Sequence, residues 1–316
     1  MLRLLRDFAR MLAWLRLVSA ASVAGMLTVV TLAAATSALA AQRKLVKPEP
    51  PSSTAVAKPI PDLKTLMQEV VAHQKELETI RENYTYRELT VTEDVDPHGK
   101  VMKTESEEDE VFFVNGHEID RVVQKNGKPL TGADADKEQK RVTKQVEKAE
   151  KVPSDRSLQN PNQTITVGKM LEIMQVTNPR RVEYNGRSTL EFDLAGRHDA
   201  KTHGIAEGAM KKIAGSIWID EQDRQVAHLE VRFTDNFHLG GGLLANIEKG
   251  TEFRFDQGLV NGEIWLPTGG EIHVTARLML LKGVRQHLTI HDWDYKRFHV
   301  DAEQQKSAAA LQDPKR

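Results

Sequence analysis

Ala227-His228-Leu229-Glu230-Val231-Arg232-Phe233 alternates apolar and polar residues without a break, and Glu252-Phe253-Arg254-Phe255-Asp256 repeats the pattern. A period of two sends successive side chains to opposite faces of an extended strand, so each stretch offers one face to a core and one to water. That is the pattern of half-buried antiparallel sheet. Downstream, Asn261-Gly262 is a hairpin signal leading into Ile264 and Leu266, then into Ile272, Val274, Ala276, Leu278 and Leu280, which share a face. From Leu278 to Leu281 the alternation becomes a solid apolar run, as expected of a strand covered on both sides. A final strand takes in Leu288 to Val300.

Upstream the same logic continues. Asn185-Gly186 separates Arg181–Tyr184 from Leu190, Phe192 and Leu194, which alternate with Glu191 and Asp193. Asp96-Pro97-His98-Gly99, Asn115-Gly116 and Asn126-Gly127 bracket a meander of three strands beginning at Tyr84. In its first strand Tyr84 and Tyr86 lie on one face and Leu89 and Val91 on the other, which calls for a bulge or a two-sided environment.

Helical spacing interrupts the strands four times. Leu63, Leu66, Met67, Val70, Leu77 and Ile80 recur at steps of three and four to about Asn83, with Asp62 placed to cap. Val167, Met170, Leu171 and Met174 form a second stripe behind Thr164 or Thr166. Lys201 to Ala214 reads as a third helix, with Ile205, Ala209, Met210 and Ile213 on one side. Thr131 and Asp134 open a charged helix to Lys151 whose apolar material is Val142, Val146 and a few alanines, so residues 131–152 are expected to be a solvated insertion outside the core.

Four arginines (Arg3, Arg6, Arg10, Arg16) precede an uncharged stretch from Leu17 to Ala41 that contains Ala38-Leu39-Ala40. This reads as an export signal over residues 1–40, cut before Ala41-Gln42. The stretch is also long enough to be a retained anchor, and a start at Met11 would shorten its basic end. Residues 41–61 hold Pro48, Pro50, Pro51, Pro59 and Pro61 and read as an extended linker. One domain is expected over 62–301, followed by a frayed tail at 302–316. The expected address is the periplasm, with anchoring in the inner membrane if the signal is retained.

The chain without its leader carries 40 basic and 44 acidic side chains, which offers no basic stripe for nucleic acid. Zero cysteines exclude disulfides and thiolate metal sites, and no cysteine follows the leader to accept a lipid. His287 and His291, four residues apart on one strand, would stand roughly 13 Å apart, too far to share an ion. His117-Glu118 is not followed by the second histidine of a zinc-binding helix, Gly240-Gly241-Gly242 leads into Leu243-Leu244 instead of Lys-Ser/Thr, and Gly-x-Ser-x-Gly does not occur. No cofactor, metal or catalytic group is expected, and the chain is read as a monomer and not an enzyme.

These elements add up to an α+β fold: a strongly curved antiparallel sheet, an unclosed β-barrel of about ten strands, with helices covering the open side. The order of helix, meander and insertion, then Gly215-Ser216-Ile217-Trp218-Ile219-Asp220 turning into Gln225–Phe233, resembles the outer-membrane lipoprotein carrier superfamily of the LolA and LolB type. Gly240-Gly241-Gly242-Leu243-Leu244 and Asn261-Gly262-Glu263-Ile264-Trp265-Leu266-Pro267 are similar to segments of uncharacterised exported bacterial proteins. The resemblance implies an unclosed barrel lidded by helices, a hydrophobic cavity for acyl chains, and no catalysis. Its expected ligand is a lipid or a lipoprotein acyl chain. The expected lining is Met170, Met174, Met210, Trp218, Leu229, Val231, Phe233, Phe253, Phe255, Ile272, Val274, Leu278 and Leu280. The alternative on the same scaffold is an envelope sensor with a protein partner, for which the charged helix would supply the surface.

Overall fold

The computed structural model describes residues 59–81, 83–153, 158, 170, 172–278 and 282–297. In chain order the elements are α1 (Leu63–Arg81), β1 (Tyr84–Val95), β2 (Val101–Val114), β3 (His117–Lys125), β4 (Lys128–Pro129), α2 (Gly132–Ala149), β5 (Met174–Tyr184) and β6 (Arg187–Gly196). There follow α3 (Gly204–Met210), β7 (Ile213–Asp220), β8 (Val226–Phe233), β9 (Phe237–Leu239), β10 (Ala245–Ile247), β11 (Glu252–Val260), β12 (Ile264–Leu278) and β13 (Lys282–Arg297). The expected leader, the linker up to residue 58, the stripe at Val167 and Leu171, and the tail lie outside the described residues.

All thirteen strands form one antiparallel sheet in the order β4-β3-β2-β1-β13-β12-β11-β8-β7-β6-β5, with β10 pairing β12 and β9 pairing β10. The path ends in two different strands, so the sheet is unclosed, as expected, with three more strands than anticipated. The β1–β4 meander joins the rest through a single seam, β1 against β13, running from Tyr84 opposite Arg297 to Asp94 opposite Gln286. Four Asn-Gly pairs (115–116, 126–127, 185–186, 261–262) have positive φ at both residues, the type I′ geometry that matches strand twist and that Asn and Gly tolerate. β1 itself keeps an unbroken register with β2 from Tyr86 to Asp94, so Tyr86 and Leu89 lie on its two faces without a bulge between them; the bulge in the seam is on β13, where register shifts opposite Thr85 and Arg87 and Asp294 takes φ 55°. Glycines allow the close strand approach that bending requires. A Cβ at Gly215 would sit 1.9 Å from the Glu230 carbonyl, and one at Gly270 2.7 Å from that of Arg254.

Asp62 caps α1 as predicted, its Oδ2 accepting from the Thr65 N–H (3.0 Å) and hydroxyl (3.1 Å). The third predicted helix is shorter than expected: α3 stops at Met210, and Ile213 is already in β7 opposite Phe233. Gly204 and Gly208 weaken helix there.

The largest correction concerns α2. Val142, Val146 and Ala149 fall on one stripe and pack against Phe112, Val114 and Ile119 in a core of their own, with Val142 and Ala149 buried. Glu138 Oε1 accepts the Val122 N–H (2.8 Å) and Arg141 Nη2 donates to the Asp120 carbonyl (2.6 Å), so α2 satisfies backbone groups of β3 beside the short strand β4. The helix is an edge cover, not a solvated excursion.

Candidate functional site

The inner face of the sheet is apolar over half its width. Cross-strand partners Ile213 and Phe233, Ile217 and Leu229, Val231 and Phe253, Leu229 and Phe255, Phe253 and Ile272, and Ile272 and Leu288 lay neighbouring rows over β7, β8, β11, β12 and β13. Phe233 stacks on Phe237 and meets Phe253 edge-on, both with centroids 6.1 Å apart. Leu66, Met67 and Val70 of α1, with Met170, Ile173, Ala209 and Met210, close over these rows to make one buried cluster. Met170, Met174 and Met210 are each at most 4% exposed, and Met174 also lines an open depression at the rim with Gly196, Arg197, His198 and Asp199.

Ten of the thirteen expected lining residues meet in that cluster: Met170, Met174, Met210, Leu229, Val231, Phe233, Phe253, Phe255, Ile272 and Val274. Leu278 ends β12 opposite Ala245 and Lys282, and Leu280 lies outside the described residues. Trp218 is a correction. Alternation puts it on the opposite face from Ile217 and Ile219, where it packs edge-on to His228 with centroids 4.6 Å apart.

That opposite face carries a polar cluster that the sequence reading missed. Tyr184 stacks on His228 at 5.0 Å, His228 Nδ1 lies 2.7 Å from Asp256 Oδ1, and the Tyr184 hydroxyl also donates to Asp256. Burial alone would raise the Asp256 carboxyl, but its hydrogen bonds with His228 and Tyr184 outweigh this and hold it below the ordinary carboxylate range. The same burial, with Asp256 alongside, pushes the Tyr184 hydroxyl up. The cluster ties the β5–β6 hairpin to β8 and β11.

The Trp218-Ile219-Asp220 segment has a structural explanation as well. Asp220, 1% exposed, accepts backbone N–H groups of Gln222 and Asp223 and pairs with Arg187, while Trp265 Nε1 donates to Asp223 (2.9 Å). It organises the β7–β8 turn.

Past the seam the inner face changes character. The row Gly270–Ile290 continues to Thr90 and Glu107, and Ile272–Leu288 continues to Thr92 and Glu105. Asp109, Glu88 and Asp292 stand side by side on β2, β1 and β13, each no more than 5% exposed. Alternation turns most of the chain's acids toward solvent, and these three are exceptions. Among the described residues no group of three His, Cys, Asp or Glu is placed to hold a metal ion.

No helix among the described residues is long and apolar enough to cross a membrane. No family model matches the sequence, and no curated protein does. Among solved structures, the chain is similar to a DUF1329 family protein from Desulfovibrio piger, at 10% identity and a TM-score of 0.32, over 74% of this chain and 92% of that one.

Proposed function

We propose that the protein works in the periplasm as a non-catalytic binder or carrier of acyl chains, with α1 as a displaceable cover over the apolar inner face. The lipoprotein-carrier type of scaffold gives this reading its frame. The observation that carries it is how α1 is held. Leu66, Met67 and Val70 enter the core, while Glu69 pairs with Arg224 (2.8 Å) and His73 Nδ1 meets the Asp223 carbonyl (3.1 Å). Exposing three such side chains costs roughly 5–9 kcal/mol, whereas burying an acyl chain of about fourteen methylenes returns roughly 11 kcal/mol gross. Exchange of helix for lipid is therefore within reach, and the depression at Met174 adjoins the same cluster.

A cysteine-free chain makes the test clean. Glu69→Cys and Arg224→Cys, joined by a short reducible linker, fix α1 to the β7–β8 turn. Uptake of a fluorescent fatty acid should stop when the link is closed and return on reduction. Equal uptake by the linked form removes α1 from the mechanism, and no uptake by the unlinked wild type ends the acyl-chain reading.

A further inference from the structure

Two leucines at the tip of the β9–β10 ribbon have no partner in the inner-face account. Leu243 is 66% and Leu244 45% exposed. Gly241 and Gly242, at φ 65° and 90°, shape the turn, and the Leu244 N–H closes it on the Leu239 carbonyl (3.2 Å). The tip is narrow: each strand beneath it has three residues. A protein partner usually covers a broad face, whereas a pair of projecting leucines fits between lipid headgroups.

The neighbouring arm of the sheet, the β12–β13 hairpin, is basic. Ala245 of β10 pairs with Leu278, which also pairs with Lys282, so the β12–β13 end lies alongside this tip. It brings the exposed Arg277 and Arg285, with no acidic residue from 277 to 285, although Arg277 is 3.6 Å from Glu248. At the other end of the strands the acids of the turns are paired: Asp220 and Asp223 with Arg187, Glu221 with Arg181, and Glu263 with Arg297. Exposed leucines and exposed arginines thus meet at the corner of the sheet where β10 joins β12.

We propose that the β9–β10 tip docks on an anionic bilayer, Leu243 and Leu244 entering the interface and Arg277 and Arg285 meeting the headgroups. This stands whether or not the inner face takes an acyl chain.

Sedimentation with vesicles tests it, comparing phosphatidylglycerol–phosphatidylcholine mixtures with pure phosphatidylcholine. The wild type should partition to the mixed vesicles and leave them as salt rises. Leu243→Ser/Leu244→Ser should weaken partition by about tenfold or more at an unchanged melting temperature. Arg277→Gln/Arg285→Gln should weaken binding to the mixed vesicles only. Absence of vesicle binding, or binding indifferent to the leucine pair, overturns the proposal, and equal binding to both vesicle types overturns its anionic half. A wild-type dimer in light scattering that the serine variants split would mean that the tips meet each other instead.

Discussion

The two halves of the sheet are built on the same alternation, but their helices pack on opposite faces. From β6 to β13 the inner face is apolar and is closed by α1 and α3. On β1 and β2 the inner face mixes threonine and carboxylate with the buried Tyr86 and Val111, and the helix, α2, packs on the outer face against Phe112, Val114 and Ile119. Alternation specifies that a strand has two faces. It does not specify which face its neighbours will cover, and a single seam of hydrogen bonds suffices to change the answer.

The sharpest way to break this comparison is to damage each half separately. Phe253→Ala, in the middle of the larger core, should cost about 3–5 kcal/mol and lower the whole melting transition, read by calorimetry. A loss below about 1 kcal/mol would mean that the core tolerates a void of that size and already has room for a guest. Arg141→Ala removes the donor to the Asp120 carbonyl and the partner of Glu138, and should cost about 1–3 kcal/mol. Its signature is local: amide exchange should speed up in β3 and α2 while β7 and β8 keep their protection. Uniform acceleration would show that the two halves unfold together.

The smallest effect is a pH dependence on the outer face. His273 stacks on His287 at 3.9 Å, and burial, then the neighbouring imidazole, holds its pKa below the ordinary value. A depressed histidine contributes stability that is complete above its unfolded pKa, near 6.5, and is lost as pH falls toward the folded value. His273→Gln should therefore flatten the dependence of melting temperature on pH between about 7 and 5, and an unaltered slope would remove the pair as its source.

Local features were legible because local chemistry decides them. Asp62 caps α1, the four Asn-Gly turns need positive φ, and Tyr86 and Leu89 take the opposite faces that alternation gives them. Trp218 was legible too: it alternates with Ile217 and Ile219, and only its size argued for the core. The role of α2 was not, because an edge is defined by strand order: β1 takes its second neighbour from the distant β13, which leaves β4 and β3 at the free end of the sheet. The buried row Asp109–Glu88–Asp292 was hidden for the same reason, since Asp292 comes beside Glu88 only through the β1–β13 pairing that spans most of the domain.

The β1–β13 seam has a consequence for how the molecule comes into being. The first long strand finds its second neighbour only in the last one, so a nascent or truncated chain that stops before Lys282 leaves the amino-terminal meander unmoored. Assembly must wait for the final strand, which makes this a slow fold for its size. Until then the chain depends on whatever keeps an unfinished ribbon from pairing with a stranger.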